Sequence, residues 1–150
     1  MSSSRETIPQ LEELMARTVN AREAYKNASK NVHNKPLTVF FEEAAHTHER
    51  FSEKLKKKIY EEGGKSEEKS DFKSQADRFW LDFASIIVRR NESAILKACA
   101  RAEEQALQQY DEVLSKELSE QIKQDIEEQR RYAAGLLSEV QSMMKKYSSD

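Results

Sequence analysis

The chain has 150 residues and a formal net charge of −2, with 35 % charged and 37 % apolar residues, three glycines and two prolines. This length suits one domain spanning 1–150. Punctuation so sparse, among so many Glu, Lys, Gln, Ala and Leu, points to an all-α chain. Charges of both signs are interspersed, which leaves no electrostatic footprint for nucleic acid or an acidic membrane.

The first predicted helix covers about residues 8–32. Thr7 and Gln10 have the spacing of a capping box, and Pro9 falls in the tolerant first turn. Its inward stripe is Leu11, Leu14, Thr18, Ala21, Tyr25, Ala28 and Val32. A tight turn at His33–Lys35 returns the chain into a second helix, about 36–62, with Leu37, Phe41, Ala44, His48, Phe51, Leu55 and Ile59 inward. Gly63 and Gly64 stop it. A polar stretch over 63–70 precedes a shorter third helix, about 71–90, with the aromatic stripe Phe72, Phe79, Trp80 and Phe83.

Asn91 is a good N-cap for a fourth helix, about 92–114. Its stripe reads Leu96, Ala100, Glu103, Leu107, Tyr110, Leu114. A turn near Ser115 leads to the fifth helix, about 118–147, with Ile122, Ile126, Ala133, Leu136 and Val140 inward. Four long helices and one short one suggest a four-helix bundle with a long crossover that carries the extra helix. The rival is an up-down bundle in which the third and fourth helices are continuous, about 60 Å long.

Glu103 is the informative residue. A leucine there would contribute roughly 1.5–3 kcal/mol, whereas an unpaired buried carboxylate costs several. It needs a cation, a histidine, a metal or a proton. Thr18, His48, Glu103 and Gln129 come one from each long helix, near its midpoint, so they are expected to form one buried polar layer, with His48 bonded to Glu103 and Thr18, Tyr25 or Gln129 satisfying the remaining groups. No metal or cofactor is expected. The alternative is a single iron or manganese ion on His48 and Glu103.

Several motifs together resemble a known family. They are Ala24-Tyr25-x-x-Ala28, Phe41 with Ala45 and Phe51, Gly63-Gly64, Arg78-x-Trp80-x-Asp82-Phe83, and the run from Ala94-Ile95-Leu96 through Cys99 and Ala102-Glu103-Glu104 to Tyr110. The chain resembles an uncharacterised bacterial family of ferritin-like four-helix bundles, a domain of unknown function. More distantly, it is similar to rubrerythrin-type di-iron bundles. The resemblance implies the ferritin-like fold and the long crossover, but no reaction. Relatives of ferritin are often stress-associated, so that association is an expectation.

A bridged di-iron site needs a Glu on each of two helices and a Glu-x-x-His on each of the others, all inward. Here Thr18 and Phe51 stand at two ligand positions, and the fifth helix offers only Glu127-x-x-Arg130 and Glu128-x-x-Arg131. The literal Glu43-x-x-His46 continues into Arg50, Glu53 and Lys57, a solvent face. Exposed His46, after Ala45, also resembles the acceptor of histidine phosphotransfer domains, but Glu49 and Arg50 follow where those domains have Lys-Gly.

One cysteine, Cys99, excludes an internal disulfide. With no signal-like or membrane-spanning segment, a cytoplasmic location is expected. A homo-oligomer contact is expected through the crossover helix, by way of Phe79, Trp80 and Phe83.

Overall fold

The computed structural model describes residues 4–64, 83, 85–87 and 91–147. They form an all-α bundle of four long helices: α1 (Ser4–Asn31), α2 (Lys35–Glu61), α3 (Glu92–Leu114) and α4 (Glu120–Tyr147). Among the described residues there is no strand, and no helix is long and apolar enough to cross a membrane.

Each boundary has a local cause. Asn34 accepts from the Leu37 N–H at 3.2 Å, and Asn91 accepts from the Ala94 N–H at 3.1 Å, so both asparagines are N-caps. Gly63 closes α2 at φ +92°, with Gly64 N–H on Ile59 O and Gly63 N–H on Tyr60 O. That pair of bonds is a Schellman motif. Ser119 accepts from the Ile122 N–H at 3.3 Å, and α4 therefore starts after it, two residues later than predicted.

The other end of α1 differs more. It is already helical at Ser4, so Thr7 and Gln10 lie within the helix and do not mark its start. Tertiary packing explains this. Thr7 is buried, and Ile8 lies so close to Gly64 that a Cβ there would come within 3.1 Å of it. The close approach holds the first turn against the end of α2, and Pro9 forfeits only one bond near the helix terminus.

Contacts between helices set their directions. Arg17 meets Gln109 and Tyr25 meets Cys99, so α1 and α3 are antiparallel. Lys54 meets Glu128 and Lys58 meets Asp125, so α2 and α4 are antiparallel too. The order is therefore up, down, down, up. Since α2 and α3 run the same way, Gly64 and Asn91 lie at opposite ends of the bundle, about 40 Å apart.

The continuous-helix rival fails on one residue. Phe83 packs edge-on against Tyr25, with ring centroids 6.1 Å apart, and Cys99 Sγ lies 3.0 Å from the Tyr25 hydroxyl. An unbroken helix would separate positions 83 and 99 by about 24 Å. Phe83 is helical and buried in the chain's own core, so it is not available as the outer contact expected of it. Phe79 and Trp80 lie outside the described residues.

The core divides into two apolar clusters. One holds Tyr25, Phe41, Phe83, Ile95 and Val140; the other holds Leu11, Leu14, Leu55, Ile59, Val113 and Ile126. Arg17 and Thr18 on α1, His48 and Ser52 on α2, and Glu103 on α3 fall between the stretches that feed the two clusters. The polar residues thus form a belt across the bundle.

Candidate functional site

Glu103 sits in this belt with 1 % of its surface exposed. It is the only buried carboxylate among the described residues. Its partner is the Tyr25 hydroxyl, which donates to Glu103 Oε2. The same hydroxyl lies 3.0 Å from Cys99 Sγ. Tyr25 and Glu103 meet because α1 and α3 cross here, and because Cys99 and Glu103 are one turn apart on a single face.

Burial dominates the electrostatics. It raises the Glu103 carboxyl from 4.5 to about 7, against the Tyr25 hydrogen bond and the Arg17 charge, which both pull it down. Burial also holds the Tyr25 hydroxyl and the Cys99 thiol well above their ordinary values, and the Glu103 charge adds to both shifts. Both groups are therefore protonated at neutral pH. The thiol is inert, since the thiolate is the nucleophile.

His48 is buried but does not bond to Glu103. Its Nδ1–H donates to Ala44 O at 2.7 Å, within α2. Its ring packs on Tyr25 at 5.2 Å and on Tyr132 at 5.8 Å. Burial lowers it to about 4, outweighing the Ala44 bond, so the imidazole is neutral. The expected His48–Glu103 bond is corrected for a geometric reason: the aromatic ring of Tyr25, a longer side chain on the adjoining helix, lies against His48 and delivers its own hydroxyl to Glu103.

The other two members of the expected layer are buried and paired elsewhere. Thr18 Oγ1 donates to Met15 O at 2.8 Å, within its own helix. Gln129 Oε1 accepts from the Tyr110 hydroxyl at 3.3 Å. Gln129 lies between Ile126 and Ala133, inside the second apolar cluster rather than between the two. The four residues therefore do not form one hydrogen-bonded layer. They separate into small sets: Thr18 and His48 bond within their own helices, Glu103 bonds to Tyr25, and Gln129 bonds to Tyr110 through Oε1 while its Nε2 keeps no protein partner.

The sequence reading overlooks Arg17. Its residue is 6 % exposed, its Nε donates to Gln109, and its charge acts on Glu103. Burial lowers its pKa, while Tyr110, Glu103 and Glu13 oppose that shift in that order. A signal was present. Arg17, Ala21 and Tyr25 are four residues apart and so share a face.

The remaining candidates are at the surface. Glu43 and His46 are exposed. His46 lines a groove of about 310 Å³ with Arg22, Lys26, Glu42 and Glu49, where the carboxylates disfavour a phosphoryl group. On α4, Arg130 grips Asp111 with bonds of 2.6 and 3.2 Å, and Glu128 meets Lys54 at 3.5 Å. These groups face solvent rather than the belt.

Four carboxylates and two imidazoles would be needed inside for a bridged di-iron pair. Glu103 and His48 are the interior carboxylate and imidazole among the described residues, and no cluster of three or more His, Cys, Asp or Glu there could hold a metal ion. The residues do not fit that centre. No curated protein and no solved structure matches the chain. Residues 6–116 match the family model described as Domain of unknown function (DUF2383), and the chain belongs to that family.

Proposed function

We propose that this protein is a ferritin-like four-helix bundle that serves as a non-enzymatic scaffold, with a metal-free polar belt that fixes how its two hairpins pack. The observation that carries this reading is the Tyr25–Glu103 hydrogen bond. It occupies the one interior carboxylate among the described residues with a protein donor, and burial keeps that carboxylate from solvent. The up-down-down-up order supports the ferritin-like part, since one long crossover is characteristic of such bundles. Buried polar groups that are satisfied only in one arrangement favour that arrangement over alternative packings. Neither Cys99, Tyr25 nor Glu103 is placed to meet a reactant.

The alternative is a mononuclear iron or manganese site on His48 and Glu103. Thermal melts of the wild type and of Glu103→Leu/His48→Leu, with and without Fe(II) or Mn(II), separate the two. A scaffold keeps its midpoint when metal is added. A wild-type midpoint that rises with stoichiometric metal, with no rise in the variant, overturns the scaffold reading.

A further inference from the structure

The seam between α2 and α4 changes character along its length. At one end Lys54 meets Glu128 at 3.5 Å and Lys58 meets Asp125 at 3.9 Å, so basic groups of α2 answer acidic groups of α4. In the middle the seam is filled by rings. His48 and Phe51 pack edge-on against Tyr132, with centroids 5.8 and 5.4 Å away. These rings hold the two helices apart. The side chains that follow, Ala44, Thr47 and Gly135, are too small to fill the same gap. The result is a groove of about 300 Å³, at the lower end of the range for small-molecule sites.

The groove joins an apolar floor to two acidic walls. Phe40, Ala44 and Leu136 line it and are buried, whereas Glu43 on α2 and Glu139 on α4 line it and are exposed. The charge matching seen at the other end of the seam is therefore absent here. Both walls carry an acid, and neither acid has a basic partner among the described residues. Like charges on two facing helices weaken their packing unless a cation lies between them. Gly135 points the same way. An added Cβ would meet nothing within 4 Å, so packing within the chain gives no reason for a glycine inside a helix, where alanine is more favourable. Its absent side chain keeps the groove open.

The chemistry of the occupant follows from the lining. A divalent metal ion keeps its water and gains nothing from an apolar floor. An alkyl chain covers that floor, and an ammonium at each end answers one wall. Arg50 stands at the Tyr132 end, with Nη2 donating to Thr47 Oγ1 at 3.3 Å, and its charge disfavours a third ammonium. We propose that the groove between α2 and α4 binds a short aliphatic diammonium, with Glu43 and Glu139 each holding one end and Phe40 and Leu136 covering the chain between them. This goes beyond the scaffold reading and does not depend on it.

The test is a titration of the intact, nitrogen-15-labelled protein with 1,5-diaminopentane at low salt, read by amide chemical shifts. The comparison probes are pentylamine, 1,5-pentanediol and magnesium chloride at matched ionic strength. We expect the diamine to move the Thr47, Tyr132 and Gly135 amides and to saturate at one site per chain. Pentylamine should bind about threefold to fivefold more weakly, since it forgoes one exposed ion pair, and the diol should not bind. Glu139→Gln should lower diamine affinity to the pentylamine level. Gly135→Met, which fills the groove from a position open to a longer side chain, should abolish binding, with circular dichroism showing both variants folded. Three results overturn the proposal. One is no saturable shift with the diamine. Another is magnesium moving the same amides as strongly, the mark of an acidic surface only. The third is diamine binding unchanged in folded Gly135→Met.

Discussion

The Tyr25 hydroxyl donates to the Glu103 carboxyl across the α1–α3 interface, joining residues 78 apart in sequence. The tyrosine ring also stacks on Phe41 at 5.9 Å, tilts against His48 and meets Phe83 edge-on. One side chain thus ties α1 to α2, to α3 and to the crossover. Removing its hydroxyl leaves a buried carboxyl without its donor, so Tyr25→Phe should destabilise the fold by about 1–3 kcal/mol. Glu103→Gln retains an acceptor for the hydroxyl and should cost less. In a double-mutant cycle by urea unfolding, Tyr25→Phe and Glu103→Leu should be non-additive, because each removes the same bond.

Stability should depend on pH through two groups of opposite sign. The Glu103 carboxyl rises from 4.5 to about 7 on folding, so the folded chain binds this proton more tightly. Its contribution is full below pH 4.5 and is lost as pH rises through about 7. His48 falls from 6.5 to about 4, so its contribution is full above pH 6.5 and is lost as pH falls through about 4. Between 4.5 and 6.5 the two slopes oppose each other. Relative to wild type, Glu103→Gln should gain stability as pH rises across this range, and His48→Phe should lose it. Urea unfolding of the three proteins across the range checks both slopes.

Two glycines should respond in opposite directions. Gly135 lies within α4, exposed, and an added Cβ meets nothing within 4 Å. Gly135→Ala should raise stability by about 0.5–1 kcal/mol. Gly63 holds φ +92° in the Schellman turn, so Gly63→Ala should cost about 1–2 kcal/mol. Chemical denaturation of both variants is the check.

The literal Glu-x-x-His pair should be dispensable for stability. Glu43 and His46 are exposed, and neither makes a bond that the belt uses. Glu43→Ala and His46→Ala should each change stability by no more than about 0.5 kcal/mol. A larger loss on thermal denaturation would mean that this face of α2 packs against something in solution.

The sequence by itself determined the four long helices and most of their inward faces. Spacing is local, and every member of the α1 and α2 stripes from Leu11 to Ile59 is buried. The asparagine caps and the Gly63 stop were equally legible, because capping uses residues within one turn of the helix end. The α3 face was less so. Its buried side extends to Ile95, Cys99, Ala102, Ala106 and Val113, while Leu107 and Leu114 are only partly buried. Where a helix is enclosed on several sides, a single stripe understates what is buried.

Only the tertiary structure decided the partners of the polar belt. That Glu103 needed a partner could be read from its place on an apolar stripe. That the partner is Tyr25 rather than His48 could not, because it depends on which helices adjoin and how far each side chain reaches across the interface. For Arg17, the face shared with Ala21 and Tyr25 hinted at burial, but its partner Gln109 on α3 was set by packing alone. Likewise, the break between Phe83 and Cys99 follows from both reaching Tyr25. Helical periodicity is set by each residue's nearest neighbours in sequence, whereas hydrogen-bond partners 78 residues apart are set by the packing of whole helices.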